Sequence, residues 1–448
     1  MDWDDKQQLY GLITQVLASS ASDIGILKPV LSQLGGLLSR FSDIDVDTVE
    51  NIAEGETKLV QGLAVSPVIA AKCLQDIARS RAFILGVNQA IQDKLTCSDK
   101  LIRDDKLTIL YAGTGPYGLL LLPLVFYYLQ AQSQKQPQGL PSDQIIPNIG
   151  ITLLDIHETS IAAVTKVVIA LGLEQVIDEI LLADATQWQP KTPNQFDIIV
   201  SETMNYALRQ EPQMFIFAHL QQFLKPDGVL IPEQVRLSAW LTDLGQETRK
   251  MLGETSRHRT QKIADFYQLD RRSAQDLLDR GLTSLHHIAK LPSNCGDFPD
   301  LKICTDIQVY GDYRLTECES SLTLNKNFPD CRLQANQPIE FNYKMQPEPQ
   351  FEWTSELSIT SGGGIELAAH QAMGRLDIVG VKRLWSKSQQ QRLGALPNEL
   401  QQVEWSRDLA IIDSLGVSLK EWMAQVFYCK TFTEFEDWLE VRVNATAD

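Results

Sequence analysis

Leu107-Thr108-Ile109-Leu110-Tyr111-Ala112-Gly113-Thr114-Gly115-Pro116-Tyr117-Gly118 is the stretch on which the fold turns. Six residues of apolar, strand-prone character run into three glycines spaced Gly-x-Gly-x-x-Gly. Glycine tolerates left-handed backbone and lets the main chain approach a ligand closely, so the pattern predicts a strand ending in a tight turn that opens a helix. Downstream come further short apolar runs at 151–156, 180–183, 196–200 and 229–231, separated by helical spacing at 119–130, 160–171 and 213–223. Strands alternating with helices predict a parallel sheet covered on both faces. A Gln- and Pro-rich segment at 131–148 predicts an exposed loop between the first helix and the second strand.

Upstream the chain reads differently. Tyr10, Leu12, Ile13 and Val16 recur at helical spacing, as do Ile26, Leu27, Val30, Leu31 and Leu34. No long strand pattern precedes Lys106. After Pro232 a strand is expected at 235–244, a charged helical segment at 246–281, and β alternation at 301–345 and 351–381. Gly362-Gly363-Gly364 reads as a turn between strands, and 399–441 as helical. The expected architecture is α/β. Residues 1–100 form a helical, lid-like head and 101–234 a Rossmann-like ligand-binding sheet. Residues 235–390 form a β-rich domain with a helical insertion, for substrate or dimerisation, and 391–448 form terminal helices.

Composition narrows the function. The 448 residues carry 40 Lys and Arg against 57 Asp and Glu, a net charge of −17. Such an acidic surface argues against nucleic acid as the main partner and leans toward a cationic one. The seven cysteines contain no Cys-x-x-Cys pair, so neither a cysteine zinc site nor a disulfide scaffold is expected, and their odd number fits reduced thiols in a cytoplasm. The acidic start at Met1–Asp5 does not read as a signal peptide. The apolar run 117–129, broken by Pro123, is shorter than the roughly 20 residues a bilayer span needs. None of the six histidines stands at metal spacing, so no metal is expected and each histidine is expected at the surface or in the core rather than as a ligand, with His157, just after Asp155, close to any bound cofactor.

The strand tips carry the chemistry. The second strand ends at Asp155-Ile156-His157, where an acid can accept hydrogen bonds from ribose hydroxyls. The third ends at Asp184-Ala185, where an acid can accept one from an adenine amino group. With the turn at Tyr111, Gly113 and Gly115, these residues fit either a dinucleotide such as NAD or S-adenosylmethionine. The fourth strand runs into Ser201-Glu202-Thr203-Met204-Asn205-Tyr206-Ala207-Leu208, with a second acid at Glu211, and 223–232 reads Phe-Leu-Lys-Pro-Asp-Gly-Val-Leu-Ile-Pro.

These segments resemble the protein arginine N-methyltransferases, a family of class I S-adenosylmethionine-dependent methyltransferases. That family carries Ser-Glu-x-Met-x-Tyr-x-Leu with a second Glu nine residues after the first, a spacing kept by Glu202 and Glu211. The resemblance also covers a helix of pattern Asp-x-x-Arg-x-x-x-Tyr, reproduced in spacing by Asp76, Arg79 and Phe83. It spans roughly 76–244. It implies an S-adenosylmethionine-dependent enzyme. Arg79 would pair with the cofactor carboxylate, Glu202 and Glu211 would be the catalytic clamp of a guanidinium, Glu202 also contacting the cofactor, and Met204 and Tyr206 would lie at the acceptor. It also implies a peptide or small-molecule acceptor and a homodimer. Two departures stand out. Tyr111 replaces the acid usual two residues before the first glycine, and no His-Trp pair occurs anywhere. They leave a carbon or oxygen methyltransferase, and more remotely an NAD-dependent oxidoreductase or a non-catalytic scaffold, as alternatives.

The physics of the paired acids is specific. A guanidinium is planar and permanently charged, so two carboxylates can hold it by charge-assisted hydrogen bonds. They place its nitrogen for displacement and stabilise the charge that remains.

Overall fold

The computed structural model describes residues 3–20, 23–44, 54–96, 106–134, 148–192, 195–251, 259–328, 331, 333–345, 348–355, 419–429, 434–435 and 437–439. The expected strand and glycine turn at 356–381, most of the helical stretch at 399–441 and most of the loop at 131–148 lie outside the described residues. The chain divides into two compact units, residues 1–244 with 257–358, and residues 245–256 with 359–448.

The first unit begins with α1 (Trp3–Leu17) and α2 (Ile24–Ser42), a hairpin of β1 (Thr57–Leu59) and β2 (Gly62–Ala64), then α3 (Pro67–Lys72) and α4 (Ile77–Thr96). Ser66 starts α3 by accepting from the Ile69 amide, with Pro67 preset for the first turn. The sheet follows: β3 (Leu107–Ala112), α5 (Leu122–Gln134), β4 (Ile149–Asp155), α6 (Glu158–Leu171), β5 (Ile177–Leu182), β6 (Phe196–Ser201), α7 (Gln213–Leu220) and β7 (Leu224–Ile231). All its pairs are parallel, in the order β5-β4-β3-β6-β7. Parallel neighbours need crossovers, which the intervening helices supply. Every residue of β4 and β6 is buried, the mark of strands covered on both faces, and each buried Ile, Leu or Val stabilises by roughly 1.5–3 kcal/mol. The expected Rossmann-like sheet is therefore present. The head packs on it: Tyr10 stacks on Tyr127 of α5 at 4.9 Å, and Lys166 of α6 bonds Asp43 at 2.8 Å.

The rest of the unit is antiparallel. β8 (Gln234–Thr242) is followed by α8 (Leu244–Met251), within which the chain passes between units. Then come β9 (Gln261–Leu269), α9 (Arg271–Arg280), β10 (His286–Lys290), β11 (Asp300–Tyr310), β12 (Tyr313–Leu315), β13 (Lys326–Phe328), β14 (Pro338–Lys344) and β15 (Gln350–Ser355). One sheet runs β12-β11-β8-β9, with β13 also on β11, and the other β10-β14-β15. Phe266 of β9 stacks on Phe341 of β14 at 4.2 Å and meets Phe351 of β15 edge-on, joining the two sheets.

One expectation is corrected here. Segment 246–281 is not wholly helical, because β9 runs through it, paired with β8 from Leu241↔Gln261 to Val235↔Leu269. Its charges suggested a solvated helix, but Phe266, Tyr267 and Leu269 are buried against partners distant in sequence. In the second unit, α10 (Leu419–Tyr428) brings Trp422 edge-on to Phe435 at 4.8 Å.

Candidate active site

The strand order reverses direction at β3, so β4 and β6 leave on either side of it and a crevice opens at their carboxyl ends. The glycine turn fills that point. Gly113 has φ +73° and donates its amide to Leu154 O at 2.8 Å, and a Cβ there would stand 2.4 Å from Thr203 Cγ2. Gly115, at φ +57°, donates its amide to Asp155 Oδ2 at 2.9 Å. Asp155 Oδ1 accepts from the His157 amide at 2.9 Å, with His157 Nδ1 3.4 Å away. The acid at the β4 tip therefore clamps the turn at the β3 tip. Beyond β5, Asp184 Oδ1 accepts from the Thr186 amide and hydroxyl, and Oδ2 from Gln187 Nε2 at 2.9 Å.

The loop after β6 is strained. Ala207, Leu208 and Gln210 have φ of 57°, 50° and 65°, left-handed values that cost a residue with a Cβ about 1–2 kcal/mol. Neighbours hold it. The Ala207 amide donates to Thr305 Oγ1 of β11 at 2.9 Å, the Gln210 amide to Pro349 O at 2.7 Å, and the Leu63 amide of β2 to Gln210 O at 2.7 Å. At the loop's start, Gln213 of α7 accepts from the Thr203 amide and hydroxyl and donates to Ser201 O. The result brings Glu202 and Glu211 to one cavity.

That cavity measures about 330 Å³. Tyr111, Gly113 and Gly115 line it, as do Asp155, Ile156, Asp184 and Ala185, and also Arg79, Glu202, Met204 and Glu211. Tyr206 is not among its lining residues; its ring lies 4.6 Å from the Arg209 guanidinium. Sequence reasoning did not single out Leu59 and Leu63 of the hairpin, Cys73, Thr203, Ser160 or Ser321; it put His157 close to any bound cofactor, though not as a ligand. All of these line the cavity. A glycine at 62 was the available signal for the hairpin. It sits at φ +149°, where a Cβ would meet Gln210 O at 2.4 Å.

The electrostatics centre on Arg79. Its guanidinium forms an ion pair with Glu202 Oε2, while Glu202 Oε1 is buried without a hydrogen-bond partner. Asp76 positions this arginine by accepting from its amide at 3.2 Å. Asp76 Oδ2 in turn accepts from Ser320 Oγ and from the amide and hydroxyl of Ser321. Burial pushes the Glu211 carboxyl up to about 7, Arg79 working against it and Glu56 with it. Burial also raises the Cys73 thiol, again against the pull of Arg79. Tyr111 is raised too, by burial, and its oxygen is bonded by the Leu120 backbone.

Among the described residues, no group of three or more His, Cys, Asp or Glu side chains is arranged to hold a metal ion, and no helix is long and apolar enough to cross a membrane. No family model matches the chain, and no curated protein does. Solved structures do. The PRMT1 enzyme-prozyme heterotetrameric complex with AdoHcy from Trypanosoma brucei is similar at 13% identity and a TM-score of 0.41, over 66% of this chain and 95% of that one. Protein arginine methyltransferase 10 from Arabidopsis thaliana is similar at 12% identity and a TM-score of 0.38, over 65% of this chain and 93% of that one.

Proposed function

We propose that the chain is an S-adenosylmethionine-dependent methyltransferase whose acceptor is a nitrogen, guanidino or amine, of a peptide or small molecule. The observation that carries this is the orphaned Glu202 Oε1, buried in the same cavity as the glycine turn and the acids at the β4 and β5 tips. A buried carboxylate oxygen without a partner is costly and marks a place where a donor is missing.

The residues fit the cofactor. Gly113 and Gly115 let the turn pack tightly, since a Cβ at Gly113 would strike Thr203 Cγ2 and one at Gly115 would crowd Ala70. Asp155 and Asp184 keep lone pairs for the ribose and the adenine amino group, and Arg79 would hold the carboxylate. When bound, the cofactor supplies an electrophilic methyl group on a sulfonium sulfur. Arg79 has five N–H donors, enough to serve Glu202 and a second carboxylate together. By holding Oε2, it aims Oε1 at the acceptor. Glu202 then accepts an N–H of the acceptor and orients its nitrogen, which is most of what an in-line displacement requires. Glu211, with its carboxyl near 7, is poised to take up the proton that the acceptor sheds. The apolar wall of Leu59, Leu63 and Ile216 excludes water and strengthens each of these interactions.

Calorimetric titration with S-adenosylhomocysteine and, separately, NAD tests the cofactor; NAD binding without S-adenosylhomocysteine binding overturns the reading. Transfer of labelled methyl to arginine peptides, free guanidino compounds and amines, against phenols, carboxylates and carbon acids, tests the acceptor. Label found solely on carbon or oxygen acceptors overturns the nitrogen assignment.

A further inference from the structure

We propose that His157 and Ser160 complete the ribose subsite, so that the two ribose hydroxyls are shared between Asp155 and this pair. The inference rests on the methyltransferase reading only in requiring a ribonucleoside ligand.

The first ground is the capacity of Asp155. A carboxylate offers about four lone-pair positions. The Gly115 amide takes one on Oδ2, the His157 amide takes one on Oδ1, and His157 Nδ1 approaches Oδ1 at 3.4 Å. Asp is also one methylene shorter than Glu, and these bonds hold it back against the turn. It has room for one hydroxyl and little for a second.

The second ground is what stands beside it. His157 Nε2 and Ser160 Oγ are both buried without a hydrogen-bond partner, and both residues line the cavity next to Ile156. The Ser160 residue is 1% exposed and the His157 side chain 12%. His157 stands at the N-cap position of α6 without a side-chain capping bond, and Ser160 lies in the first turn, so both sit at the helix start that borders the cavity. Such groups are stable only when a ligand or water completes them. Their chemistry matches a vicinal diol. With Nδ1 turned toward the Asp155 carboxylate as donor, Nε2 is left as an acceptor. One ribose hydroxyl donates to Asp155 and the other to His157 Nε2, while the Ser160 hydroxyl supplies the donor that a hydroxyl oxygen can still accept. Hydroxyls can serve both ways, which an apolar ligand cannot do.

The test is calorimetry on the full chain with S-adenosylhomocysteine, adenosine, 2′-deoxyadenosine and 3′-deoxyadenosine. The wild type is expected to bind adenosine about threefold to tenfold more tightly than either deoxynucleoside. His157→Asn keeps a donor near the Nδ1 position and loses Nε2. It should weaken S-adenosylhomocysteine by a similar factor and lose discrimination against one deoxynucleoside. His157→Gln, whose amide reaches the Nε2 position, should recover both, and Ser160→Ala should lose affinity. Equal binding by His157→Asn with discrimination intact overturns this proposal while leaving the methyltransferase reading in place. So does a wild type indifferent to both hydroxyls, a measurement that needs no variant to fold. A wild type that binds no adenosine compound overturns both.

Discussion

Replacing Glu202 with Gln isolates charge from shape at the centre of the site. The side chain is 3% exposed and its partner Arg79 15%. Deleting one member of a buried ion pair costs about 3–5 kcal/mol. Gln keeps an oxygen that Arg79 can still bond, and the arginine retains some solvent, so a smaller loss of about 1–2 kcal/mol of stability follows. For a chain of this size that is a fall of about 1–2 °C in melting temperature, at about 1 °C per kcal/mol. The catalytic effect is larger. Glu202 Oε1 is without a partner in the free protein, so its charge is available to the acceptor as positive charge builds there. Removing one preorganised group of that kind costs about 2.7–4 kcal/mol, or 10²–10³ in turnover.

The assay is transfer of labelled methyl under saturating cofactor, with S-adenosylhomocysteine affinity measured in parallel. Turnover should fall by at least a hundredfold while cofactor affinity stays within a few-fold, since Asp155 and Asp184 are untouched. Turnover within threefold of wild type refutes the clamp. A parallel collapse of cofactor affinity refutes the division of labour between Glu202 and the strand tips.

Gly113→Ala puts a methyl where Thr203 Cγ2 stands 2.4 Å away and forces φ +73° on a residue with a Cβ; cofactor affinity should fall at least tenfold by calorimetry, and unchanged affinity would mean the turn does not hold the ligand. Burial lifts Glu211 from an ordinary 4.5 to about 7, so its favourable contribution to folding is full below pH 4.5, declines between the two values and is gone above 7. Glu211→Gln should therefore raise the melting temperature at about pH 8 and leave it near wild type at about pH 4.5, and wild-type turnover should climb through about pH 7 along a limb the variant lacks; a flat wild-type profile there removes Glu211 from the proton path. Thr305→Val strips the acceptor from the Ala207 amide, leaving a buried donor that costs about 1–3 kcal/mol; turnover should drop with cofactor affinity kept, and equal turnover would show that the loop holds its shape without β11.

How far the sequence reveals the site depends on how local each feature is. The glycine turn, Asp155, Asp184 and the Glu202–Glu211 pair each lie within a single strand-and-loop segment, and the structure gathers them because a parallel sheet aligns its strand ends. What escapes is set by contacts distant in sequence. The β1–β2 hairpin is three residues a side, too short to show periodicity, and its place depends on Gln210. Strand β9 is hidden under charge because its partners are β8, Phe341 and Phe351. Tyr206 matches its motif in register, yet the left-handed pair Ala207 and Leu208 that follows turns the chain toward Thr305, and the ring rests by Arg209. The sequence puts His157 beside any bound cofactor, but nothing local says that its Nε2 lacks a partner.

The β-rich half has a role that its sequence does not announce. Three left-handed residues with side chains, at about 1–2 kcal/mol each, would relax in an isolated sheet domain, and the two glutamates would part. The bonds that prevent this come from outside the sheet: Thr305 of β11 to Ala207, Pro349 beside β15 to Gln210, and Ser320 and Ser321 to the Asp76 that aligns Arg79. Strain persists only where surroundings over-determine it, and here the over-determination comes from the antiparallel sheets and the segment between β12 and β13. The loop from Glu202 to Glu211 is therefore a joint product of both halves. A change in either half that spares every cavity-lining residue can still alter the distance between the two carboxylates.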